Sequence, residues 1–416
     1  MLIFSKTPVA IAMAMVGILG YFSIVGDISA AFAIASLEFT EALSSLDLLV
    51  IPLFILMGAF AQISGLSADI FRLAAALIGH RTNGLGVSSI IASAGFGAVC
   101  GSSVATTATM SQVAYPEMKN RGYSDMIIAG ALAGGGTLGS LVPPSMVMII
   151  YAGLTEQNII DLFRAAFIPA VIAIILYVLT AIYMGKKYPK QAPKSQKLSS
   201  KEQWYIFVKA IPALLILLLV FGGIYASLFT ITEAATFGLV LTVIWAGFRY
   251  FGKNYFTLQE LKDTLLQSAG QISALYFILI GAGIYKYFLT LSGLPEETVS
   301  WVSGLKITPI FTLFIIVLLY ILLGAVFDSL AAMVITIPFT FPLVISLGYD
   351  PIWWGIINVV IIEIGLITPP VGMNLFVMQS IRPNMSIRHI YKGILPFIMV
   401  DILRVILMIF ILVYMI

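Results

Sequence analysis

The feature that most constrains the fold is a proline pair that occurs twice inside apolar sequence. Pro143-Pro144 ends the stretch 138–144, and Pro369-Pro370 ends the stretch 364–370. Because proline lacks an N–H group, each pair removes hydrogen bonds to the carbonyls four residues earlier and must break a helix. The carbonyls predicted to be freed are those of Gly139, Ser140, Gly365 and Leu366.

The composition indicates that lipid surrounds these broken helices. The 416 residues are 60% hydrophobic and 10% charged, with a mean hydropathy of +1.06, far outside the range of soluble globular proteins. At membrane depth, irregular backbone is tolerated only where protein buries it or where it lines a hydrated cavity, and transporters hold cations and anionic substrates at such breaks. The paired breaks therefore predict an ion-coupled carrier made of two halves. The net charge of +3 is too small to suggest a nucleic-acid partner.

Apolar stretches predict nine membrane crossings and two hairpins that enter the membrane and turn back. The crossings are 8–26, 46–65, 126–153 (broken), 164–184, 206–224, 230–248, 266–291, 351–382 (broken) and 393–415. The hairpins are 84–115 and 308–345, each interrupted midway by small and polar residues. The predicted fold class is an all-α polytopic membrane protein with two re-entrant helical hairpins and two broken helices.

An internal repeat relates the two halves. Four landmark pairs share a separation of 226 residues, and they are Ser103 with Ser329, Pro116 with Pro342, Gly122 with Gly348, and Pro143 with Pro369 (329 − 103). A constant offset of this kind is the signature of structural repeats in transporters. We therefore divide the chain into a first repeat at 1–184, a cytoplasmic linker at 185–205, and an extra helix with the second repeat at 206–416.

Charged residues predict the orientation and the inversion of the repeat. Basic residues fall on one side of the predicted spans, at Lys6, His80, Arg81, Lys119, Arg121, Lys186, Lys187, Lys190, Lys194, Lys197, Lys201, Arg249, Lys253, Lys262, Arg382, Arg388 and Lys392. Acidic residues fall on the other side, at Asp27, Glu38, Glu41, Asp47, Glu156, Glu296 and Glu297. By the positive-inside rule the N-terminus is cytoplasmic and nine crossings place the C-terminus outside. The two repeats then begin on opposite sides and are inverted.

Four short amphipathic pieces lie between the predicted spans, at 66–81, 155–163, 257–265 and 385–392. They are either interfacial helices that finish the loops or arms that hold a moving core against a fixed frame. Four charged residues are expected near span ends, where they extend to the interface or pair with a neighbouring helix. They are Arg164, Glu233, Lys286 and Asp401.

Each half offers oxygen ligands for a cation. Sodium is a hard ion, and unwound backbone carbonyls and hydroxyls supply oxygens without adding net charge, with glycine allowing carbonyls to turn inward. The predicted metal ligands are Ser103, Thr107, Gly136, Thr137 and Gly139 in the first half, and Asp328, Ser329, Gly365, Thr368 and Gly372 in the second. The half-helices that follow each break present free N–H groups suited to a carboxylate. The predicted substrate contacts are Ser102, Thr106, Ser145, Ser329 and Asn374.

Other uses of these residues stay open. Serine, threonine and glycine in membrane helices commonly serve close packing. Asp328 at a hairpin tip either binds a cation or caps the half-helix that follows. Glu363 could fix backbone N–H groups, bind a cation or carry a proton.

The sequence gives no reason to predict an enzyme. It contains no G-x-x-x-x-G-K-[ST] and no H-E-x-x-H, which excludes a P-loop ATPase and a zinc protease of that type. It contains no G-x-S-x-G elbow either. The alternative from another class is an intramembrane enzyme that uses Asp328 and Glu363 as paired acids.

Several motifs together resemble the large membrane subunit of TRAP transporters, the tripartite ATP-independent periplasmic carriers. They are Gly101–Thr109, Pro116–Met118, Gly122-Tyr123, Gly136–Ser145 with Tyr151, Leu162-Phe163, Thr232–Ala235, Phe327-Asp328 and Gly365–Leu375. The resemblance covers nearly the whole chain, and the two proline-pair motifs are fairly specific to this family.

The resemblance implies a sodium symporter of the bacterial inner membrane with an elevator-type architecture. It implies two partners, a periplasmic substrate-binding protein and a small four-helix membrane subunit carried on a separate polypeptide. It places one sodium site at 102–107 with 136–139, and the other at Asp328, Ser329 and 365–369. The expected substrates are small organic acids of the dicarboxylate or sialic acid class. The alternative is a stand-alone sodium and divalent-anion symporter without partner subunits.

Overall fold

The computed structural model describes residues 7–46, 48–253 and 255–414, and all the regular structure in these ranges is helical. Within these described ranges eighteen α-helices follow one another, with a 3-10 turn at Pro189–Gln191. They are α1 (Val9–Val25), α2 (Ile28–Ser44), α3 (Val50–Ile63), α4 (Leu66–Ile78), α5 (Gly84–Cys100), α6 (Ser103–Asn120), α7 (Asp125–Leu141), α8 (Met146–Thr155), α9 (Ile159–Lys187), α10 (Ser200–Tyr225), α11 (Ile231–Lys253), α12 (Leu258–Ser292), α13 (Leu294–Gly304), α14 (Pro309–Gly324), α15 (Ser329–Ser346), α16 (Pro351–Ile367), α17 (Met373–Ile381) and α18 (Ile387–Tyr414). The predicted all-α membrane fold is confirmed.

Helix length and composition give seven candidate membrane spans in the described ranges, or eight if the bent pair α3–α4 counts as one span. The helix axis bends by 63° between α3 and α4. The predicted crossings 8–26 and 351–382 correspond to shorter apolar helices, Val9–Val25 and Pro351–Ile367. The count of nine crossings and the sides on which the termini lie therefore stay predictions.

The repeat determines the bounds of four helices. Helices α6 and α15 start and end 226 residues apart, and so do α7 and α16 (329 − 103, 346 − 120, 351 − 125, 367 − 141). Their N-caps are related in the same way, because Ser102 and Asp328 cap α6 and α15 while Ser124 and Asp350 cap α7 and α16. A capping oxygen satisfies an amide that the first helical turn leaves unpaired. The repeated sequence thus starts the same helices in both halves.

The two predicted hairpins are present as antiparallel helix pairs. Helix α5 turns into α6 at Gly101, whose φ of +64° suits glycine. The Ser89 hydroxyl contacts the Met118 sulfur across this pair at 3.4 Å. In the second hairpin, the hydroxyls of Tyr320 in α14 and Thr340 in α15 are 2.8 Å apart.

Both proline pairs interrupt helices, as predicted. The first break separates α7 from α8 at residues 142–145, and the second separates α16 from α17 at residues 368–372. The prediction that the Gly365 carbonyl is free is wrong, because this oxygen accepts from the amide of Thr368 at 2.9 Å. The chain turns away from the helix axis there, which brings the Thr368 N–H into reach of that oxygen.

The two halves are inverted. The start of α7 packs against the start of α18, where Gly393 touches the carbonyl of Met126. The start of α16 lies near the other end of α18, where the Trp353 indole donates to the carbonyl of Met408 at 3.4 Å. The 15 residues between 393 and 408 span about 22 Å along a helix axis. Helices α7 and α16 therefore begin at opposite ends of the same neighbour.

Glycine residues allow neighbouring helices to approach closely across the fold. Gly17 of α1 lies against the backbone of Ile284, and Gly281 of α12 lies against the carbonyl of Ala10. Close backbone packing of this kind is the usual route to helix association in membranes. The contacts Ala10 with Gly281, Gly17 with Ile284 and Gly20 with Phe288 rise together along both chains, so the outer helices α1 and α12 form a tightly packed parallel pair.

Two features differ from the sequence expectations, and they are the segment between the first two expected crossings and the amphipathic pieces. Glu38 and Glu41, between the expected crossings 8–26 and 46–65, lie on an additional helix, α2, because alanine and leucine around them still form a helix with an apolar face. Three of the four amphipathic pieces belong largely to long helices, since α9, α12 and α18 begin at residues 159, 258 and 387. Piece 66–81 is largely the separate helix α4. Lys6 and Asp47 lie outside the described residues.

The predicted linker 185–205 is bound to the helical body. Helix α9 runs to Lys187 and α10 begins at Ser200. Between them, the carbonyl of Gln191 accepts from the Ser124 amide at 3.0 Å, and the Ser195 amide donates to the carbonyl of Gly79 at 3.2 Å. The segment therefore crosses the turns that precede α5 and α7. The division into repeats and linker at these boundaries stays a prediction.

Candidate functional site

The first hairpin tip lies directly on the first broken helix. A Cβ on Gly139 of α7 would overlap the Thr106 hydroxyl and lie 2.7 Å from the carbonyl oxygen of Ser102. A Cβ on Gly136 would collide with the hydroxyl of Thr107. Only glycine leaves room for three oxygens of the tip to approach the α7 backbone this closely. The structure therefore brings together the predicted residues of the first half.

Two predicted ligands in this cluster already make hydrogen bonds within the protein. The Ser103 hydroxyl lies 2.9 Å from that of Ser140 and donates to the carboxylate of Glu363. The Thr137 hydroxyl contacts the Gly134 carbonyl at 2.7 Å. By contrast, the buried Thr107 hydroxyl has no hydrogen-bond partner among the described residues. An oxygen of that kind suits an additional ligand, because buried polar atoms are normally paired.

The second hairpin tip meets the second break in a similar way. The Gly372 amide donates to the carbonyl of Ala325 at the tip, at 3.0 Å. The first half has a matching bond from the Met146 amide to the Gly101 carbonyl, at 3.2 Å. Gly365 touches the backbone of Gly324. Both tips are thus anchored to the chain that leaves the break.

Two carbonyls converge at Gly372, which has a φ of +62°. The oxygens of Leu366 and Thr368 each lie 3.1 Å from the point that a Cβ on Gly372 would occupy. A glycine here keeps open a small space lined by backbone oxygen. The Thr368 hydroxyl does not line it freely, since it donates to the carbonyl of Ile364 at 2.6 Å.

Asp328 caps α15, the second helix of the second hairpin. Its Oδ1 accepts from the amides of Leu330 and Ala331 at 2.9 and 3.0 Å. The capping alternative for this residue is therefore present, and Ser102 makes the corresponding cap in the first half with the Ala105 amide at 3.4 Å. Ser329 follows Asp328 as the first residue of α15. The cap uses one carboxylate oxygen and leaves the other for a second role.

The predicted substrate residues occupy helix starts at the tips and breaks. Ser145 caps α8 by accepting from the Met148 amide at 3.4 Å, and Asn374 lies in the first turn of α17. Asn374 is fully buried, and neither of its side-chain polar atoms has a partner in the described ranges. Helix α17 packs against α6 and α7, and α8 packs against α15 and α16. Each short half-helix thus lies against the opposite half.

A buried charged network next to the first cluster was not anticipated from the sequence. The Tyr177 hydroxyl lies 3.0 Å from that of Thr137 and donates to Asp401, and Asp401 pairs with Arg404 at 2.8 Å. The prediction that Asp401 lies near a span end is wrong, because it sits near the middle of α18 with 1% of its side chain exposed. The spacing of Asp401 and Arg404, three residues apart inside an apolar helix, is the signal that could have identified this pair.

The other three residues expected at span ends are exposed. Arg164 donates to the Ser227 hydroxyl at 2.8 Å, and Glu233 accepts from the Thr230 amide at 2.8 Å. Lys286 pairs with Glu156 at 3.1 Å. This last pair lies beside a cavity of about 700 Å³ that Glu38 and Glu41 also line.

The residues at both breaks fit a small hard cation. The donors at the first are hydroxyls and the backbone oxygens of α6 and α7, and the unpaired Thr107 oxygen is available among them. At the second, two carbonyls converge near Gly372. Oxygen donors with little net charge are those that alkali cations take in broken-helix transporters. Bound sodium would supply positive charge at the place where hairpin tip and break meet.

Comparisons with known proteins agree with this architecture. The chain is 35% identical over 365 residues to the C4-dicarboxylate TRAP transporter large permease protein DctM of Pseudomonas aeruginosa, covering 88% of this chain and 84% of that one. It is 28% identical over 362 residues to the sialic acid TRAP transporter large permease protein SiaM of Vibrio cholerae, covering 87% and 83%. Among solved structures, the YdaH transporter of Alcanivorax borkumensis superimposes with a TM-score of 0.62 at 14% identity, over 93% of this chain and 88% of that one.

The likeness to YdaH shows a shared fold alone. The relatives by sequence are transport proteins and not enzymes. The family model for the DctM component of tripartite ATP-independent periplasmic transporters matches residues 1–413. The chain therefore belongs to the DctM family, the large membrane component of TRAP transporters.

Proposed function

We propose that this chain imports a small organic acid by sodium symport, in the dicarboxylate or sialic acid class. A periplasmic binding protein delivers the acid, and a small four-helix membrane subunit completes the carrier. The chain lies in the bacterial inner membrane with its N-terminus in the cytoplasm and its C-terminus in the periplasm. The substrate class follows from the names of relatives that carry C4-dicarboxylates and sialic acid, both of which are carboxylates.

One observation carries the proposal, which is the matched contact between hairpin tip and helix break in both halves. The Gly101 and Ala325 carbonyls each accept from an amide just past a proline pair. Backbone and hydroxyl oxygens that suit sodium lie near each contact. Each break is followed by a half-helix whose N-terminus suits a carboxylate. Sodium at these points would stabilise the geometry that receives the substrate.

Transport then follows from linked binding. Sodium that binds better to the substrate-loaded arrangement raises substrate affinity by the same factor by which substrate raises sodium affinity. With both sites filled, the hairpins and broken helices (α5–α8 and α14–α17) move as one core past the outer helices. This elevator-type step exposes the substrate to the cytoplasm.

The test is uptake of labelled acid into vesicles that contain this chain and its small membrane subunit. We expect uptake only when an inward sodium gradient and the substrate-loaded binding protein are both present. Uptake at full rate in sodium-free buffer with only a proton gradient would overturn the sodium coupling. Uptake that is independent of the binding protein would instead identify a stand-alone symporter.

A further inference from the structure

Glu363 is a carboxylate held at the junction of the two halves. It lies on α16 of the second half, with 2% of its side chain exposed. Its Oε2 accepts from the hydroxyl of Ser103, which lies on the hairpin of the first half. Its Oε1 is buried and has no hydrogen-bond partner among the described residues. The Oε1 oxygen of this carboxylate is therefore available to a further ligand.

The charges around Glu363 do not balance. The ionisable groups that act on it are Asp401 and Arg404, and these two pair with each other at 2.8 Å. The Asp401 carboxylate also accepts from Tyr177. Because that pair is neutral overall, no cationic side chain in the described part of the cluster is left for Glu363. A buried carboxylate without a counter-charge is costly, which favours a bound cation beside it.

The hydrogen bond to Glu363 also orients Ser103. A serine hydroxyl has one hydrogen to donate and two lone pairs to offer. The Ser140 oxygen, 2.9 Å from the Ser103 hydroxyl, accepts from the Ser103 amide at 3.0 Å, and donating the single hydroxyl hydrogen to the carboxylate of Glu363 leaves the lone pairs of the Ser103 oxygen for a cation. By accepting the hydroxyl hydrogen of Ser103, Glu363 directs that hydrogen away from the site and leaves the Ser103 oxygen to bind a cation.

We propose that Glu363 is the anionic ligand of the monovalent cation at the first cluster, bound through Oε1 beside Ser103. This inference rests on the proposed sodium coupling and names the residue that supplies the charge. Since Ser103 and Glu363 belong to different halves, a cation there bridges the first hairpin and the second broken helix. The ion then favours one relative position of the two halves, as coupling requires.

A purely structural role for Glu363 leads to a different expectation. A glutamine has nearly the same shape, and its amide oxygen can accept from Ser103 just as the carboxylate does. If Glu363 only supports Ser103, Glu363→Gln should preserve cation binding. If Glu363 binds the cation, the same change removes a full negative charge at contact distance and weakens binding at least about tenfold.

The experiment measures the melting temperature of the purified wild-type chain and variants against sodium chloride, with choline chloride holding the ionic strength constant. Equilibrium binding of sodium-22 is the second readout. For Glu363→Gln we expect the sodium concentration at half-maximal stabilisation to rise at least about tenfold. The exposed Glu297→Gln on α13 is the matched control and should behave as the wild type.

Ser103→Ala keeps the inference falsifiable if Glu363→Gln does not fold. It removes the hydroxyl but leaves the carboxylate, so we expect sodium stabilisation to persist with a smaller loss of affinity. Loss of all sodium response in Ser103→Ala would show that Glu363 serves only to orient the serine, and would overturn the inference. Unchanged sodium affinity in a folded Glu363→Gln would overturn it as well. Absence of any sodium response in the wild type would instead contradict the proposed function.

Discussion

At the scale of single residues, the two hairpin tips do the same structural task with different chemistry. Ser102 and Asp328 stand 226 residues apart (328 − 102) and cap equivalent helices. A serine cap is neutral, whereas the aspartate adds a negative charge to the second tip. The capping role of Asp328 follows from its bonds to the Leu330 and Ala331 amides, and a cation role for its other oxygen stays a prediction.

Substitutions at Asp328 separate these two roles. In sodium-free buffer, Asp328→Asn should melt close to the wild type because asparagine is as good a cap as aspartate. Asp328→Ala should lose about 0.5–2 kcal/mol of stability, with a lower melting temperature. Ser102→Ala is the control, and it should lose a similar amount. If Asp328→Asn were as damaging as Asp328→Ala without sodium, the charge and not the cap would be what the fold needs.

The sequence predicted which residues would meet at the site better than how each would be bonded. Glycine spacing and the proline pairs pointed to contacts such as that of Gly136 with Thr107, which the structure contains. The bonds of Ser103 to Glu363, and of Tyr177 to Asp401, join helices far apart in the chain. No local pattern encodes such partners, because they depend on how α9, α16 and α18 pack around α6 and α7.

At the scale of helices, packing of small residues holds the halves together. Gly130 of α7 and Gly393 of α18 face each other so closely that a Cβ on either would meet the backbone of the other helix. Backbone cannot move aside as a flexible side chain does, so no larger residue fits without separating the helices. The contact joins the first broken helix to the last helix of the second half.

Gly393→Ala should therefore destabilise the fold, by about 1–3 kcal/mol or more. Gly270→Ala in α12 is the matched control, since nothing lies within 4 Å of the added Cβ there, and alanine is the better helix former. Melting of both variants in detergent is the measurement. A Gly393→Ala variant that melts with the wild type would show that α7 and α18 are less tightly packed than described.

Helix bounds were predictable where the repeat fixed them and less so elsewhere. The constant offset of 226 recurs in the starts and ends of α6 with α15 and of α7 with α16. Helix α2 was missed because Glu38 and Glu41 interrupt its apolar pattern, while the neighbouring α12 supplies packing for it. Tertiary contact of that kind overrides a weak local signal.

At the scale of the whole molecule, the inverted halves meet along α7, α9, α16 and α18, which pack against one another. The long helix α12 packs against α1, α2 and α3 and also reaches α15. One exposed ion pair, Lys286 with Glu156, joins α12 to the end of α8. Exposed pairs contribute little stability, so this contact can break and re-form as the proposed core moves past the outer helices.

The proposed movement predicts that a covalent bridge across this pair will stop transport. In a background with the single cysteine replaced, Cys100→Ala, the changes Glu156→Cys and Lys286→Cys should accept a short reducible dithiol-reactive linker. Uptake should fall to background after linking and return after reduction.

The control bridge replaces Lys119 and Asp125, which pair at 2.7 Å between α6 and α7. Both residues belong to the proposed moving core, so linking them should leave uptake unchanged. Full transport with the bridge between residues 156 and 286 in place would contradict an elevator movement of α8 past α12.

The most direct test of the account is simultaneous measurement of sodium-22 and labelled acid entering vesicles that contain the chain, its small membrane subunit and the loaded binding protein. We expect acid entry to be accompanied by sodium entry, with both lost when either solute is omitted. Acid entry without any sodium entry would contradict the claim that the paired helix breaks bind the ion that drives import.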